Sequence, residues 1–162
     1  MTISISDIRI SPVGEDLTTE DLSLSVIRGL ELMNRVDEKI EAGISLVKGE
    51  WGVLGDDNLV HRPDAAAVRN TYLVFAGTDR FDSAATQQVT LIENSPIIVK
   101  TNKYDTTVVG GYHVGDPLTV RSLGTDAAYP TLATSGEPIL AKVRQVGDGY
   151  LVYEVLVGGA TV

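Results

Sequence analysis

The sequence predicts an all-β domain, either a β-barrel or a jelly-roll-like sandwich, with an N-terminal arm and one short helix ahead of it. Short runs of β-branched and aromatic residues recur every ~8–12 residues between Gly, Asp, Asn and Pro turns. The last two runs, residues 139–146 and 150–157, are joined by Gly147-Asp148-Gly149, which is typical of a β-hairpin. The length of 162 residues fits a single domain of this kind.

The chain is organised around residues 71–101, where three strands are expected. Residues 72–75 are wholly apolar, which favours a strand buried on both faces, and residues 88–92 and 97–101 are rich in β-branched side chains. The loop between the first two strands is dense in charge. We therefore take Asp79, Arg80, Phe81 and Asp82 of this loop as candidate subunit-contact residues.

Residues 1–42 are assigned to the arm, and residues 43–162 to the β domain. The start of the arm alternates weakly at Ile3, Ile5, Ile8 and Ile10, which fits either a strand pairing with another sheet edge or a disordered terminus. The second half favours a helix from about residue 26 to residue 40, since five apolar residues share one helical face: Val26, Leu30, Met33, Val36 and Ile40. Alternation over residues 22–26 and the helix-weakening Gly29 point instead to a strand.

Another hairpin is predicted at the start of the β domain. Residues 44–47 and 51–54 would pair around Lys48-Gly49-Glu50, and Trp51 is expected in the core. A further strand-like run is expected at residues 106–109, before Gly110-Gly111.

Composition excludes several classes of function. With 13 basic and 22 acidic residues the net charge is −9, and the basic residues are scattered, so no nucleic-acid partner is expected. Cysteine is absent, which excludes disulfides, thiolate metal sites and cysteine nucleophiles. No secretory signal or membrane-spanning run is recognisable, so no membrane partner is expected either.

No catalytic constellation is visible, and the chain is predicted not to be an enzyme. His61 and His113 are expected to be surface histidines in turns, because an acid–base or metal site would need ligands that converge from different loops. Asp56-Asp57 is interpreted as a solvated turn, and Asp79 with Asp82 lacks the spacing of an EF-hand. No metal, cofactor or catalytic residue is therefore predicted.

From about residue 43 to residue 157, the order of short motifs resembles the head decoration, or capsid cement, proteins of tailed bacteriophages. The matching segments are Gly49-Glu50-Trp51-Gly52-Val53-Leu54, Tyr72-Leu73-Val74-Phe75, Gly77-Thr78-Asp79-Arg80-Phe81-Asp82, Lys100-Thr101 with Tyr104-Asp105, Val114-Gly115-Asp116-Pro117, Ser135-Gly136-Glu137-Pro138 and Gly149-Tyr150-Leu151. The resemblance lies in their order along the chain rather than in any one of them.

The resemblance implies a non-enzymatic virion protein that is made in the host cytoplasm and binds the outer surface of the capsid. Such modules are commonly homotrimers that clamp adjacent subunits of the major capsid protein, without a cofactor. Apolar residues of the arm are expected to contribute to the subunit contacts, because each gains roughly 1.5–3 kcal/mol when buried. These are Ile3, Ile5, Ile8, Ile10, Val26, Leu30 and Met33.

Two other classes of function stay open on the sequence. Another virion component, such as a tail-tube protein, would share the β-rich composition. A carbohydrate- or host-surface-binding sandwich would present exposed aromatic side chains in its loops, and Tyr104, Tyr112 and Tyr129 are the candidates.

Overall fold

Two antiparallel β-sheets form the described part of the computed structural model, which covers residues 23–63, 70–78, 87–93, 96–122 and 128–161. The sheets contribute residues to a common core and do not close into a barrel. The all-β prediction is thus confirmed in its sandwich form.

The first sheet, sheet A, has six strands in the spatial order β1-β7-β11-β10-β8-β9. In chain order, their bounds are β1 Ser25–Arg28, β7 Ile98–Thr101, β8 Pro117–Ser122, β9 Ala128–Leu132, β10 Pro138–Gly147 and β11 Tyr150–Thr161. The second sheet, sheet B, has the order β2-β6-β5-β3-β4. Its bounds are β2 Asn34–Lys39, β3 Trp51–Leu54, β4 Val60–His61, β5 Thr71–Ala76 and β6 Gln88–Glu93.

The main core lies between the sheets. Trp51 of sheet B is 2% exposed and Tyr153 of sheet A is fully buried, and the Trp51 Nε1 donates a hydrogen bond of 3.3 Å to the Tyr153 hydroxyl. Because a buried indole N–H needs an acceptor, this bond removes the main cost of placing both polar tips in the core. The prediction that Trp51 is a core residue is confirmed.

A second, smaller core lies on the other face of sheet B. Leu73 of β5 faces the main core, whereas the next residue, Val74, belongs to the smaller cluster with Leu91, Val60 and Leu46. Successive side chains of a strand point to opposite faces, so the centre of β5 is buried on both, as its apolar run predicted. Leu46 reaches this cluster from residues 41–50, an irregular segment that covers the outer face of sheet B.

The C-terminal hairpin forms as predicted. Strands β10 and β11 pair antiparallel from Pro138↔Thr161 to Gly147↔Tyr150, with two register shifts. Gly149 has φ of 80° in the connecting turn, a conformation that suits glycine. β11 lies between β7 and β10, which explains why its sequence is apolar on both sides.

The predicted helix over residues 26–40 is wrong. The segment contains β1, a three-residue 3-10 helix at Leu30–Leu32, and β2. Gly29 has φ of 90°, which interrupts any continuous helix, and the two strands then pair with distant partners in different sheets. The part of the presumed arm that the structure describes therefore supplies one edge strand to each sheet.

The predicted hairpin around residues 48–50 is also wrong. Residues 44–47 form no strand, and β3 pairs instead with β4 and β5. The Gly49 N–H donates to the Val74 carbonyl, and the Val74 N–H donates to the Glu50 carbonyl, so the turn is bound to β5. The strand expected at residues 106–109 is likewise a turn in the structure.

Candidate functional site

The segment between β7 and β8, residues 102–116, is the candidate functional site and is called the contact loop below. It presents two apolar side chains to solvent, Val109 at 97% exposure and Val114 at 71%. Scattered exposed valines are ordinary on protein surfaces. This segment differs from a scattered pair of valines because many hydrogen bonds hold it in one shape.

A buried carboxylate, that of Asp105, fixes the start of the contact loop. One of its oxygens, Oδ1, accepts hydrogen bonds from the Thr107 N–H at 2.9 Å and the Thr107 hydroxyl at 2.6 Å. The other oxygen, Oδ2, accepts a bond of 2.8 Å from the buried Thr131 hydroxyl on β9. The backbone N–H of Asp105 donates to the Pro130 carbonyl, so one residue joins the loop to the edge of sheet A by backbone and side chain together.

Two tyrosines support the middle of the contact loop. The rings of Tyr104 and Tyr112 lie edge to face with centroids 5.7 Å apart, and both pack against the main core. The Tyr112 hydroxyl donates to the Asp105 carbonyl at 2.6 Å. Beside them is a partly open cleft of about 190 Å³, which is lined by Tyr104, Thr106, Val108, Gly111, Tyr112, Val146 and Leu151.

The end of the contact loop is bound to β10. The Gly115 N–H donates to the Val143 carbonyl, the Val143 N–H donates to the Asp116 carbonyl, and the Asp116 carboxylate accepts from the His113 N–H at 2.7 Å. The loop is thus held at its start, middle and end. Loops that a scaffold holds in place are common locations of binding residues.

The two histidines have different surroundings, and His61 lies on a strand rather than in the predicted turn. His113 lies in a turn with its side chain 78% exposed, as expected. His61 lies on β4 between two carboxylates: its Nδ1 is 3.0 Å from Glu41 and its Nε2 is 2.9 Å from Asp57. The hydrogen bonds to Asp57 and then Glu41 raise the pKa of His61 above its ordinary value. The bond from His61, followed by that from the Leu59 N–H, lowers the pKa of Asp57.

Only part of the predicted contact set lies within the described residues. Val26 and Met33 pack against the main core, whereas Leu30 is 56% exposed beside the equally exposed Ile27. The structure therefore leaves only Leu30 of these three free to present a large apolar surface. The other predicted contact residues, Ile3, Ile5, Ile8 and Ile10 in the arm and Asp79, Arg80, Phe81 and Asp82 in the charged loop, lie outside the described residues.

Sequence reasoning missed the contact loop because its bonds join distant segments. Thr131 is 26 residues from Asp105, and only the short-range pattern Asp105-x-Thr107 could have indicated a side-chain-capped turn. Within the described ranges, no group of three or more His, Asp or Glu side chains is arranged to hold a metal ion. No helix among the described residues has the length and apolar character needed to cross a membrane.

Comparison of the chain with protein-family models, with curated proteins and with solved structures finds no match.

Proposed function

We propose that the protein is a non-enzymatic structural component of a tailed-bacteriophage virion. It would bind the outer surface of the capsid as a homotrimer and stabilise the shell by clamping adjacent subunits of the major capsid protein. Two things support this proposal: the order of motifs over residues 43–157 and a rigid contact loop with exposed apolar side chains.

The contact loop is the observation that carries the proposal. Covering the apolar side chains of Val109 and Val114 removes no polar group from water. A buried valine gains roughly 1.5–3 kcal/mol relative to an exposed one. Because the loop is already held by Asp105, Tyr112 and the bonds to β10, little conformational freedom is lost on binding. A contact of this size is weak alone, but several copies in one trimer reinforce each other through high effective concentration.

The net charge of −9 agrees with a position outside the shell. The packaged genome is a dense array of phosphates, and an acidic protein is repelled by it. The same charge limits association between free copies before they reach their binding sites.

The N-terminal residues would supply a second contact. Residues 1–22 precede β1, which is an edge strand of sheet A. Their apolar residues Ile3, Ile5, Ile8 and Ile10 would dock on a neighbouring subunit. A truncation that tests this should remove residues 1–22 only, because β1 and β2 belong to the sheets.

The test uses expanded empty heads of the phage that carries the gene, prepared without this protein. The purified wild-type chain should co-sediment with the heads, and Val109→Asp should reduce the bound amount at least roughly tenfold, because a charge would be buried against the shell. The matched control is Val109→Thr, which keeps the shape of the side chain and should bind much better than Val109→Asp. Failure of the wild-type chain to bind, or its absence from purified virions, would overturn the proposal. A location on the tail in electron micrographs would favour the tail-tube alternative.

Carbohydrate binding is the second candidate function, and the cleft beside Tyr104 and Tyr112 favours it. The two tyrosines and Thr106 line it, and aromatic side chains with a few polar residues are a common lining of small-molecule sites. Tyr129, the third tyrosine considered above, does not line this cleft. Saturation-transfer NMR with a panel of monosaccharides would test this candidate, and any signal should disappear in Tyr104→Ala.

A further inference from the structure

Residues 41–50, called the strap below, cover the outer face of sheet B; an ionisable side chain holds the first end, and backbone bonds to β5 hold the second. Leu46 in the middle of the strap is fully buried in the smaller core, and its carbonyl accepts from the Thr78 N–H and lies near the Thr78 hydroxyl at 3.3 Å. The strap has no regular secondary structure, so its position depends on these contacts and on its two ends.

The first end is fastened by His61. This side chain lies between Glu41 on the strap and Asp57 in the turn between β3 and β4. A neutral imidazole has one N–H, so it can donate to only one of the two carboxylates, whereas the imidazolium donates to both. The arrangement seen here, with each ring nitrogen within 3.0 Å of a carboxylate oxygen, is complete only when His61 is protonated.

The second end is fastened by backbone bonds to β5, from the Gly49 N–H to the Val74 carbonyl and from the Val74 N–H to the Glu50 carbonyl. The side chain of Glu50 is buried, with 6% of the residue exposed. Its carboxylate accepts a hydrogen bond of 3.1 Å from the Val47 N–H. Burial raises the pKa of Glu50, and the bond from Val47 and the nearby positive charges of Arg62 and Lys103 oppose that shift. Arg62, which follows His61, also donates to the Ser45 carbonyl and so holds the strap between its ends.

The strap also touches the base of the contact loop. Gly49 lies so close to the Ser23 carbonyl and to Lys103 that a β-carbon there would be 2.8 Å from the Lys103 Cγ. Lys103 is the second residue of the contact loop, and its N–H donates to Thr101, whose hydroxyl donates to the Ser23 carbonyl. A displacement of the strap would therefore also displace the start of the contact loop and the start of the described N-terminal part.

We propose that the attachment of the strap to the sandwich depends on pH. Protonation of His61 binds residues 41–50 to the β3–β4 turn, and its deprotonation loosens them beside the contact loop. Two charged groups contact His61 directly: Glu41 on the strap and Asp57 in the turn, each within 3.0 Å of a ring nitrogen. Arg62 follows His61 along the chain, and Asp56 precedes Asp57. The two contacting carboxylates favour the charged imidazole.

Hydrogen exchange measured by mass spectrometry tests this on the full chain at pH 5.5 and pH 8.0, with correction for the intrinsic exchange rate. Peptides from residues 41–50 should be protected roughly three- to tenfold more at pH 5.5, because the imidazolium donates to both carboxylates there and the neutral ring to only one. Peptides from β10 and β11 should show no such difference. Equal protection of the strap at the two pH values would overturn the proposal.

Substitutions separate the effect of His61 from other titrations. His61→Gln should remove the pH difference in the strap, whereas His113→Gln, which replaces the other histidine, should preserve it. Glu41→Gln and Asp57→Asn each remove one attracting charge while keeping an acceptor, so each should reduce the difference even if His61→Gln folds poorly. A wild-type pH difference in all three variants around His61 would refute the mechanism.

Discussion

The contact loop and the strap are both irregular segments bound to the sandwich, but they are bound in different ways. Asp105, which holds the contact loop, is 7% exposed and accepts bonds from two threonines that carry no charge. His61, which holds the strap, has a side chain that is 30% exposed and bonds to two half-exposed carboxylates. One fold thus contains a loop whose hydrogen bonds do not depend on pH and a strap whose hydrogen bonds do.

The physical difference is in the donors. Threonine hydroxyls and backbone N–H groups do not titrate, so the contact loop keeps all its donors at any neutral pH. An imidazole gains or loses an N–H donor near neutral pH, so the strap loses one of its hydrogen bonds as the pH rises.

Asp105→Ala should give the largest loss of stability, about 3–4 kcal/mol. It leaves the buried Thr131 hydroxyl without its acceptor, removes two bonds to Thr107 and opens a small cavity. Urea unfolding followed by circular dichroism measures the loss. Asp148→Ala, at an exposed position in the hairpin turn, is the control and should change stability by less than about 0.5 kcal/mol. A loss below about 1 kcal/mol for Asp105→Ala would mean that this carboxylate does not hold the loop.

How far the sequence alone leads depends on how local the determining contacts are. The hairpin of β10 and β11 was predictable because its alternation, its turn residues and its pairing all lie within residues 138–161. The structure of residues 26–40 was not predictable in this way. Val26 pairs with Val99 and Val36 pairs with Leu91, and these distant pairings override an apolar spacing that also suits a helix.

The same reasoning applies to the candidate sites. The pairing of His61 with Asp57, four residues earlier, could have been suspected from their spacing across a turn. The partnership with Glu41 could not, since it depends on the parallel bridge between Ile40 and Val60 that brings the strap beside β4. The two exposed valines of the contact loop carry no signal in the sequence, because only the folded structure shows that their supports are rigid.

Gly49→Ala and Gly149→Ala form a matched pair that compares the strap with the hairpin. Both glycines have positive φ, 95° and 80°, so both substitutions incur backbone strain of about 1 kcal/mol. No atom lies within 4 Å of the new β-carbon at Gly149, whereas at Gly49 it collides with the Ser23 carbonyl and Lys103. Gly49→Ala should therefore cost about 2–3 kcal/mol and Gly149→Ala about 1 kcal/mol in thermal or urea unfolding. Equal costs would show that the strap is not in tight contact with Ser23.

The free energy of unfolding should fall as the pH rises from 6.5. The pKa of His61 is raised in the folded state, so its contribution is fully present below the unfolded value of 6.5 and is lost as pH rises through the folded pKa. The raised pKa of Glu50 acts in the same direction but from its unfolded value of 4.5 upward. The lowered pKa of Asp57 acts oppositely: its contribution is present above 3.8 and is lost as pH falls through its folded pKa.

Urea midpoints between pH 4 and pH 9 measure this profile. His61→Gln should flatten the part of the profile above pH 6.5, while His113→Gln should reproduce the wild-type curve there. A steep wild-type slope above pH 6.5 that survives in His61→Gln would assign the titration to another group.

The smallest effect is expected at the surface of sheet A, for Arg144→Ala. Arg144 on β10 donates to Glu154 on β11 at 3.0 Å, but the two side chains are 49% and 33% exposed. Water screens such a pair, and holding two long side chains in one geometry costs entropy, so the loss should be within about 1 kcal/mol. Urea unfolding of Arg144→Ala, Glu154→Gln and the double variant would give the coupling energy directly. The coupling should shrink further at high salt, because exposed charges are screened. A coupling energy above about 2 kcal/mol would mean that ion pairs contribute strongly to the stability of sheet A. Stabilisation by charge would then not be particular to the strap, and the contrast with the contact loop would not hold.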